Sequence, residues 1–190
     1  MVNDSSREGP TDEELLDRAR AGDDRAFGIL VARYEGVVAS TVIGMLGHGD
    51  EAEDVGQETF IRFHRSLDKF RGDSSLSTYL TRIAINLSLT AVRRRKRWSD
   101  RFKGSTLAAA RISAAEDPER DLERSLRSEW LWGAIGGLSA GHRAVVVLRM
   151  IDGYSTRATS RILEVPEGTV MSRLARAMER LESHLKETDR

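Results

Sequence analysis

The spacing of the apolar residues is the feature that most restricts how this 190-residue chain can fold. Within residues 24–46, apolar side chains recur at the three- and four-residue spacings of a helix, at Phe27, Leu30, Val31, Tyr34, Val38, Val42 and Met45. This pattern is typical of a helix with one face buried against a core. Only 3 prolines and 16 glycines interrupt the chain, so long helices are possible almost everywhere. The sequence therefore predicts an all-α protein.

The first half of the chain is predicted to form four helices. Thr11 and Glu14 have the spacing of a capping box, which indicates a short first helix. Asp23 is then placed to cap the helix at residues 24–46, which ends at the glycines that follow it.

A third helix, capped by Asp50, is predicted to run to about Leu67, and a fourth follows a loop at residues 68–74, capped by Ser74 or Ser75. In each helix one apolar stripe should face inward. The stripes are Ala52, Val55, Thr59, Phe63 and Leu67, and then Leu76, Tyr79, Leu80, Ile83, Leu87 and Ala91. Four such helices make one small bundle.

A second helical unit is predicted beyond a linker. Residues 99–116 lose the periodicity and are rich in Gly, Ser, Thr and Ala, which is typical of a linker. Asp117 and Pro118 restart a helix, and another is expected over residues 140–151, with Val145, Leu148 and Ile151 buried.

The last fifty or so residues have the layout of a helix-turn-helix. Ser155 is predicted to cap a short helix to about Leu163, and Pro166 lies at the start of a longer one to about Leu185. Its inward residues would be Val170, Leu174, Ala177 and Leu181, leaving Thr169, Met171, Ser172, Arg173 and Arg176 outward. Arginine and serine are side chains that read a DNA groove. An ordinary amphipathic terminal helix with exposed arginines is the alternative, which the preceding helix and turn disfavour.

The charges are segregated along the chain although the net charge is zero. Residues 1–60 carry 5 basic and 14 acidic side chains (−9), residues 61–115 carry 13 and 3 (+10), and residues 116–190 carry 12 and 13 (−1). Local charge decides whether a surface attracts phosphate. The basic run at residues 93–97 is therefore a candidate phosphate contact, or else a solvated helix end that complements the helix dipole.

Several function classes are excluded or disfavoured. The chain has no cysteine, which excludes disulfides, a thiolate nucleophile and a sulfur-ligated zinc site. His64, with Asp54 and Glu58, does not fit the four-residue step that aligns metal ligands on a helix, and other catalytic motifs are missing. The longest apolar run, residues 36–47, is too short to span a membrane. We expect a cytoplasmic protein that is not an enzyme and takes no cofactor.

Five segments of the sequence together resemble a known family. They are DEAEDVGQETFIRF (residues 50–63), FRGDSSLSTYLTRIAIN (70–86), RRRKR (93–97), LSAGHRAVVVLRMIDGYS (138–155) and VPEGTVMSRLARAMERL (165–181). They resemble regions 2 and 4 of bacterial sigma-70 initiation factors, in the short extracytoplasmic-function (ECF) form. The resemblance implies a region 2 bundle at residues 11–98, a linker at 99–116 and a region 4 domain with a helix-turn-helix at 117–186.

The resemblance implies a subunit that joins core RNA polymerase, through its β and β′ subunits, and directs it to promoters. Asp54, Gln57 and Glu58, with Ile61 beside them, would dock on the clamp coiled coil of the largest subunit. Without the family, a solvated acidic face would be the simpler interpretation. The resemblance also implies that an anti-sigma protein holds the factor inactive.

The implied DNA contacts fall into two sets. The start-proximal (−10) element would be read as a single strand by Phe70, Arg71, Gly72, Asp73, Ser74, Ser75, Tyr79, Arg82, Asn86, Arg93, Arg94 and Arg95. Phe70 would form the wall of a base pocket, although Phe70 and Tyr79 could equally complete the bundle core. The upstream (−35) element would be read as duplex by Arg157, Arg161, Thr169, Ser172, Arg173 and Arg176.

This sequence departs from the family pattern in region 4. Met171 replaces a usual Lys or Arg, Glu164 replaces the usual turn glycine, and Thr159 replaces an aliphatic residue. Arg157 and Arg161 stand where acidic residues are common, so upstream contacts are expected to shift toward them. A free-standing helix-turn-helix regulator, with the bundle as a ligand or dimerisation domain, is the alternative function.

Overall fold

The computed structural model describes residues 9–101 and 132–188, and these residues form α-helices without any β-strand. The first four helices are α1 (Asp12–Arg20), α2 (Asp24–Leu46), α3 (Asp50–Arg65) and α4 (Leu76–Arg101), with a 3-10 turn at Leu67–Lys69. Then come α5, described over residues 132–137, α6 (Ala140–Val146), a π-helical turn (Val147–Ile151), α7 (Thr156–Leu163) and α8 (Glu167–Thr188). The predicted all-α class is confirmed. The restart at Asp117 lies outside the described residues.

Side-chain caps fix most of the helix starts where the sequence placed them. Thr11 accepts from the Glu14 amide at 3.3 Å while the Glu14 carboxylate accepts from the Thr11 amide at 2.9 Å, which completes a capping box. Asp23 accepts from the amides of Arg25 and Ala26 at the start of α2. Each cap satisfies amides that have no partner within the helix.

The start of α3 differs from the prediction. Gly49, with φ 132°, is the residue that precedes the helix, and Asp50 is its first residue and makes no capping bond. Only glycine adopts such a backbone without strain. The helix also ends at Arg65, two residues before Leu67, because the chain tightens into the 3-10 turn there.

The first four helices enclose an aromatic and aliphatic core. Phe63 of α3 stacks on Phe27 of α2 with ring centroids 5.8 Å apart, and its other neighbour is Tyr79 of α4 at 6.2 Å. The predicted inward residues of α2 and α3 are buried or half-buried. On α4 the buried face also includes Ala84 and Ile85, with Thr81 and Ser88.

Helix α2 is long and apolar enough to cross a membrane by length and composition alone, which the 36–47 run by itself did not suggest. Its side chains Leu30, Val38, Val42 and Met45 are buried in the core of the bundle. The apolar residues of α2 therefore form part of the protein core. The core helix of a water-exposed bundle has this composition as well.

The π-helical turn corrects one predicted core residue. It inserts an extra residue per turn, which rotates the side chains that follow relative to an α-helix. Val147 and Leu148 therefore face inward and are buried, whereas Ile151 is 39% exposed beside Met150. The prediction that Ile151 is buried was wrong.

The two halves of the chain pack against each other, which the sequence did not indicate. Ala144, Val147, Leu148 and Ile162 belong to the same buried cluster as the residues of the first bundle. A smaller buried cluster contains Leu138, Val146 and Ala177. It packs α8 against α6 within the second half of the chain. Helix α4 also continues to Arg101, three residues into the segment predicted as linker.

Candidate functional site

The predicted partner-binding residues lie together on the outer side of α3. Ala52, Thr59 and Phe63 anchor the opposite side of the helix in the core, and this orientation leaves Asp54 and Gln57 exposed and Ile61 44% exposed. Glu58 is half-buried and forms a 2.8 Å ion pair with Arg62, one turn along the helix. The result is an acidic and amide-bearing surface with one apolar side chain at its end.

A groove of about 390 Å³ lies beside this surface, between α2 and α3. Its lining is mainly apolar, with the half-buried Val31 and Ile43 from α2 and Phe60 from α3. Glu35 and Glu53 add carboxylates to its lining, and Gln57 belongs both to the groove and to the exposed face of α3. A mainly apolar lining with acidic side chains suits a helix that carries apolar residues and cations.

The second predicted surface follows the loop from Phe70 into α4. Phe70 is only 9% exposed and its ring lies edge-on to that of Tyr79, with centroids 5.0 Å apart. Tyr79 is half-buried and donates its hydroxyl to Ser66 at 3.0 Å. Both rings therefore contribute to the core. The loop residues Arg71, Gly72, Asp73, Ser74 and Ser75 are exposed.

The cations of α4 have different surroundings. Arg82 donates to the backbone carbonyl of Arg161 in α7 at 2.9 Å. Arg94 pairs with Glu51 of α3 at 2.9 Å, and Arg95 lies 3.9 Å from the same carboxylate. Arg93 and Asn86 are exposed. Asn86 and Arg93 therefore face solvent, whereas the Arg82 side chain is bonded to the second half of the chain.

The third predicted surface is a helix-turn-helix formed by α7 and α8. Ser155 caps α7 by accepting from the Ala158 amide at 3.1 Å. Glu164 takes the left-handed conformation, with φ 54° and ψ 43°, at the turn, as its position in place of a turn glycine predicted. Ser160 closes the turn by donating to the Val165 carbonyl at 2.6 Å. Thr159 fills a fully buried position in α7.

Helix α8 presents the predicted outward residues. Val170 and Ala177 are buried beneath it, and this leaves Ser172 and Arg176 exposed and Thr169 and Arg173 half-buried. Arg157 and Arg161 are exposed on α7. Met171, 64% exposed, adds an apolar contact to the same surface.

A concentration of positive charge lies where α8 meets α6. Burial, and then the charges of Arg180, Arg173 and Arg176, lower the pKa of His142. Arg173 also runs close to Gly141 at the start of α6, where an added Cβ would lie 3.5 Å from its Nη1 atom. Burial makes the largest contribution to this shift, and the three arginines that add to it carry the positive charge that attracts anions such as phosphates.

Sequence reasoning missed the residues that join the two halves. Asp152 accepts hydrogen bonds from Ser40 at 2.7 Å and Thr41 at 2.8 Å, both on α2. The Tyr154 hydroxyl lies 3.1 Å from that of Ser77 and 2.9 Å from that of Thr81, both on α4. No sequence signal identifies these pairs, because each partner is more than seventy residues away.

Arg143 was also missed. It is 4% exposed and donates to the carbonyls of Met45 at 2.7 Å, Leu138 at 3.3 Å and Gly136. Burial, and then the charge of Arg95, lowers the pKa of Arg143 to about 10. A buried cation that is bonded only to carbonyls fixes the contact between α2 and α6.

These features define a class: a helical protein with one exposed acidic face, one helix that ends in a run of cations and one helix-turn-helix. Comparison with known families matches residues 30–98 to sigma-70 region 2 and residues 128–181 to sigma-70 region 4. The ECF RNA polymerase sigma-E factor of Escherichia coli K12 is 36% identical over 91% of this chain and 93% of its own length. The RNA polymerase sigma-H factor of Pseudomonas aeruginosa is 34% identical over 92% of this chain and 93% of its own length.

Two solved structures share the fold. The sigma factor RpoE in complex with the anti-sigma factor NepR, from Bartonella quintana, has a TM-score of 0.68 at 26% identity and covers 84% of this chain and 96% of its own. CnrH in complex with the cytosolic domain of CnrY has a TM-score of 0.65 at 27% identity. The similarity covers 93% of this chain and 97% of the CnrH chain. The chain belongs to the ECF group of the sigma-70 family, which are non-enzymatic transcription initiation factors.

Proposed function

We propose that this chain binds core RNA polymerase, through its β and β′ subunits, and directs it to promoters by reading two DNA elements. The observation that carries the proposal is that one chain presents both an exposed acidic face on α3 and a helix-turn-helix with exposed arginines. A free-standing regulator would need only the helix-turn-helix and not the acidic face on α3. The region 2 and region 4 matches, in this order, support the pairing. The proposed units keep the predicted bounds, 11–98 and 117–186.

The polymerase would dock on α3. Asp54, Gln57 and Glu58 supply hydrogen-bonding groups, and the exposed Ile61 supplies apolar contact. Arginine-bearing helices suit such a face because the guanidinium group bonds carboxylates and amides in a fork. The clamp coiled coil of the β′ subunit is the partner that we propose, and its helix would extend along the groove between α2 and α3.

The −10 element would be read as a single strand by the exposed loop and by α4. The loop at residues 71–75 offers backbone groups and short side chains to an unstacked base. Asn86 can bond a base edge, and Arg82 with Arg93, Arg94 and Arg95 would neutralise phosphates. Because Phe70 is mostly buried, it would contribute at most its edge to a base pocket, as a support for the loop.

The −35 element would be read as duplex by α8. The N-terminal part of a recognition helix enters the major groove, and here that part carries Thr169, Ser172 and Arg173, followed by Arg176. Arg157 and Arg161 on α7 would hold the flanking phosphates. Met171 replaces a cation in this surface and offers contact to a thymine methyl group instead.

An anti-sigma factor is the regulatory partner that we propose, acting in the cytoplasm. Two solved complexes of similar chains, RpoE with NepR and CnrH with CnrY, extend over most of this chain. Both similarities cover the two halves of this chain together, and the likeness to chains that were solved with anti-sigma partners supports the proposal of such a partner here.

Transcription by a reconstituted holoenzyme tests the function. The purified chain is mixed with core polymerase and a template selected from random DNA by that holoenzyme, and run-off products are mapped. We expect a transcript that starts at one site and needs this chain. A chain that yields no specific transcript but binds a palindromic duplex on its own is a free-standing regulator instead.

A further inference from the structure

Arg20, at the end of α1, bonds the base of the loop at residues 71–75, which we call the exposed loop. Its Nε atom donates to the Leu67 carbonyl at 3.3 Å, and its Nη2 atom donates to the Phe70 carbonyl at 2.6 Å. These partners lie 47 and 50 residues further along the chain. One guanidinium group therefore holds both the 3-10 turn and the residue that leads from this turn into the exposed loop.

The guanidinium group of Arg20 is itself fixed in place. Its Nη1 atom donates to the Asp17 carboxylate at 3.0 Å, one turn back on α1. A guanidinium group is planar and presents its donors in a rigid fork, so it can hold two carbonyls in one relative position. Leu15, Leu16 and Ala19 are buried in the core, and they keep α1 in place independently of Arg20.

The two ends of the exposed loop are held by different groups. At the C-terminal end, Ser75 caps α4 by accepting from the Thr78 amide at 3.2 Å. At the N-terminal end, the Phe70 ring packs edge-on against Tyr79, while Arg20 bonds the Phe70 carbonyl. The residues between these ends are exposed. Because an exposed segment has few packing contacts that order it, the conformation of the loop depends on its two held ends.

Helix α1 enters the proposed −10 surface only through this contact. The match to sigma-70 region 2 begins at residue 30, and the −10 contacts that the family resemblance implies begin at Phe70. Neither includes α1, which ends at Arg20. The bonds to the two carbonyls therefore give this helix a role in the loop that neither the sequence nor the comparisons indicated.

We propose that Arg20 is a positioning residue for recognition of the −10 element. It orders the exposed loop before a strand arrives, so that an unstacked base meets backbone groups that are already in place. This inference rests on the proposed function of the loop. A segment that becomes ordered only on binding lowers the affinity, and Arg20 removes part of that cost without touching the strand.

Two alanine variants on α1 form the test. Arg20→Ala removes the bonds to Leu67 and Phe70. Arg18→Ala is the matched control, because the Arg18 guanidinium also makes two bonds, at 3.0 and 2.8 Å, but both go to Asp23 at the start of α2. Each variant removes one cation and its bonds from the same helix. A difference between them therefore reports on the exposed loop.

The mobility of the exposed loop is measured by time-resolved fluorescence anisotropy of the free chain. The chain has no cysteine, so a dye on Ser74→Cys reports on the loop and a dye on Ser183→Cys reports on α8, both at exposed positions. We expect Arg20→Ala to increase the fast motion of the loop dye only, and Arg18→Ala to change neither dye. Unchanged loop motion in Arg20→Ala, or an equal increase in Arg18→Ala, overturns the proposal. The measurement needs neither polymerase nor DNA, so its outcome is separate from that of the transcription assay.

Binding of two DNA probes by the holoenzyme tests whether the order of the loop is used. One probe is a promoter selected from random DNA by the holoenzyme, with its −10 positions left unpaired, and the other is a duplex that carries the −35 element alone. We expect Arg20→Ala to bind the first probe about three- to tenfold more weakly, the cost of ordering one flexible group, and the second equally well. Association with core polymerase should not change. An equal loss on both probes, or a more mobile loop without loss on the first, overturns the proposal.

Arg20→Lys is a second variant, in case Arg20→Ala does not fold. It keeps the positive charge but replaces the fork by a single ammonium group, which cannot hold two carbonyls in one fixed geometry. We expect the loop dye to move more in this variant than in the parent. Motion equal to that of the parent would show that the forked contact is not what orders the loop.

Discussion

The arginines of the proposed −35 surface differ in how deeply they are buried. Arg173 is half-buried along the start of α6, whereas Arg176 is exposed one turn further on. A partly buried arginine loses less side-chain freedom when it binds, because packing already restricts it. Arg173 is therefore the residue of α8 on which we expect promoter affinity to depend most.

Replacement of Arg173 by alanine should weaken promoter binding by the holoenzyme by roughly ten- to a hundredfold, the value of a lost bidentate base contact. Association with core polymerase should not change, since α3 lies elsewhere. Arg25→Ala, at an exposed position of α2, is the control. Gel-shift titration measures the first quantity and co-elution the second. Equal loss of both would show that Arg173 acts on folding.

Asp152 predicts a dependence of stability on pH. Burial raises the pKa of Asp152, and the bonds from Ser40 and Thr41 offset part of that rise. The folded chain therefore prefers the protonated carboxyl, and this preference stabilises the fold below the ordinary pKa of aspartate and is lost as the pH rises through the raised value. The free energy of unfolding of the parent, relative to Asp152→Asn, should therefore increase as the pH falls from 7 toward 4. Urea titrations at several pH values measure the free energy of unfolding of both proteins. If it changes with pH in the same way in the parent and in Asp152→Asn, the prediction is contradicted.

At the scale of elements, the turn between α7 and α8 stores local strain. Glu164 holds φ 54° and ψ 43°, and it is the described non-glycine residue with a positive φ. The left-handed region costs a residue with a Cβ about 1 kcal/mol.

Glu164→Gly should therefore raise the free energy of unfolding by up to about 1 kcal/mol, with the gain reduced by the greater freedom of glycine in the unfolded chain. Glu167→Gly, in the first turn of α8, should lower it. Thermal and urea unfolding measure both. A loss of stability in Glu164→Gly would mean that the glutamate side chain has a role that its exposure does not reveal.

The outer face of α3 is the element that should govern polymerase binding. Gln57→Ala with Ile61→Ala removes one amide and one apolar contact, and we expect at least a tenfold loss of affinity for core polymerase, the size of an interface hot spot. Arg65→Ala, exposed on the same helix, should have little effect. Binding is measured by fluorescence titration of labelled chain. Wild-type affinity in the double variant would place the docking surface elsewhere.

At the scale of the whole molecule, the halves stabilise each other through a shared core. Val147, Leu148 and Ile162 of the second half belong to the buried cluster of the first. We expect residues 1–101, expressed alone, to fold with a lower melting temperature than the full chain, because the surface around Gly44 and Met45 becomes exposed to water. Calorimetry of the two proteins measures this, and identical melting temperatures would show that the contact adds no stability.

Limited proteolysis tests the proposed division of the chain. We expect the first cut to fall within residues 99–116, the segment that the sequence predicts as a linker. Early cleavage within residues 132–188 would contradict the division.

The sequence by itself determined the helices and most of their caps, although the cap predicted at Asp50 is not made. Periodicity and capping depend on residues three or four apart, so Thr11, Asp23 and Ser155 could be assigned without a fold. The exposed face of α3 followed from the buried face opposite it. The left-handed conformation of Glu164 was expected from the family resemblance, because Glu164 stands where relatives carry a turn glycine.

The tertiary structure alone decided how the two halves meet, because the contacts that join them link residues far apart in sequence. The π-helical turn moved Ile151 outward, and a glycine at position 44 allowed Val147 to approach α2. No sequence pattern marks either effect. The helical periodicity of the sequence does not show that one turn holds an extra residue, and it does not show that the surfaces around Gly44 and Val147 fit together. Packing of distant surfaces is a property of the assembled fold, so it determines which of the surfaces marked by the sequence are free to bind.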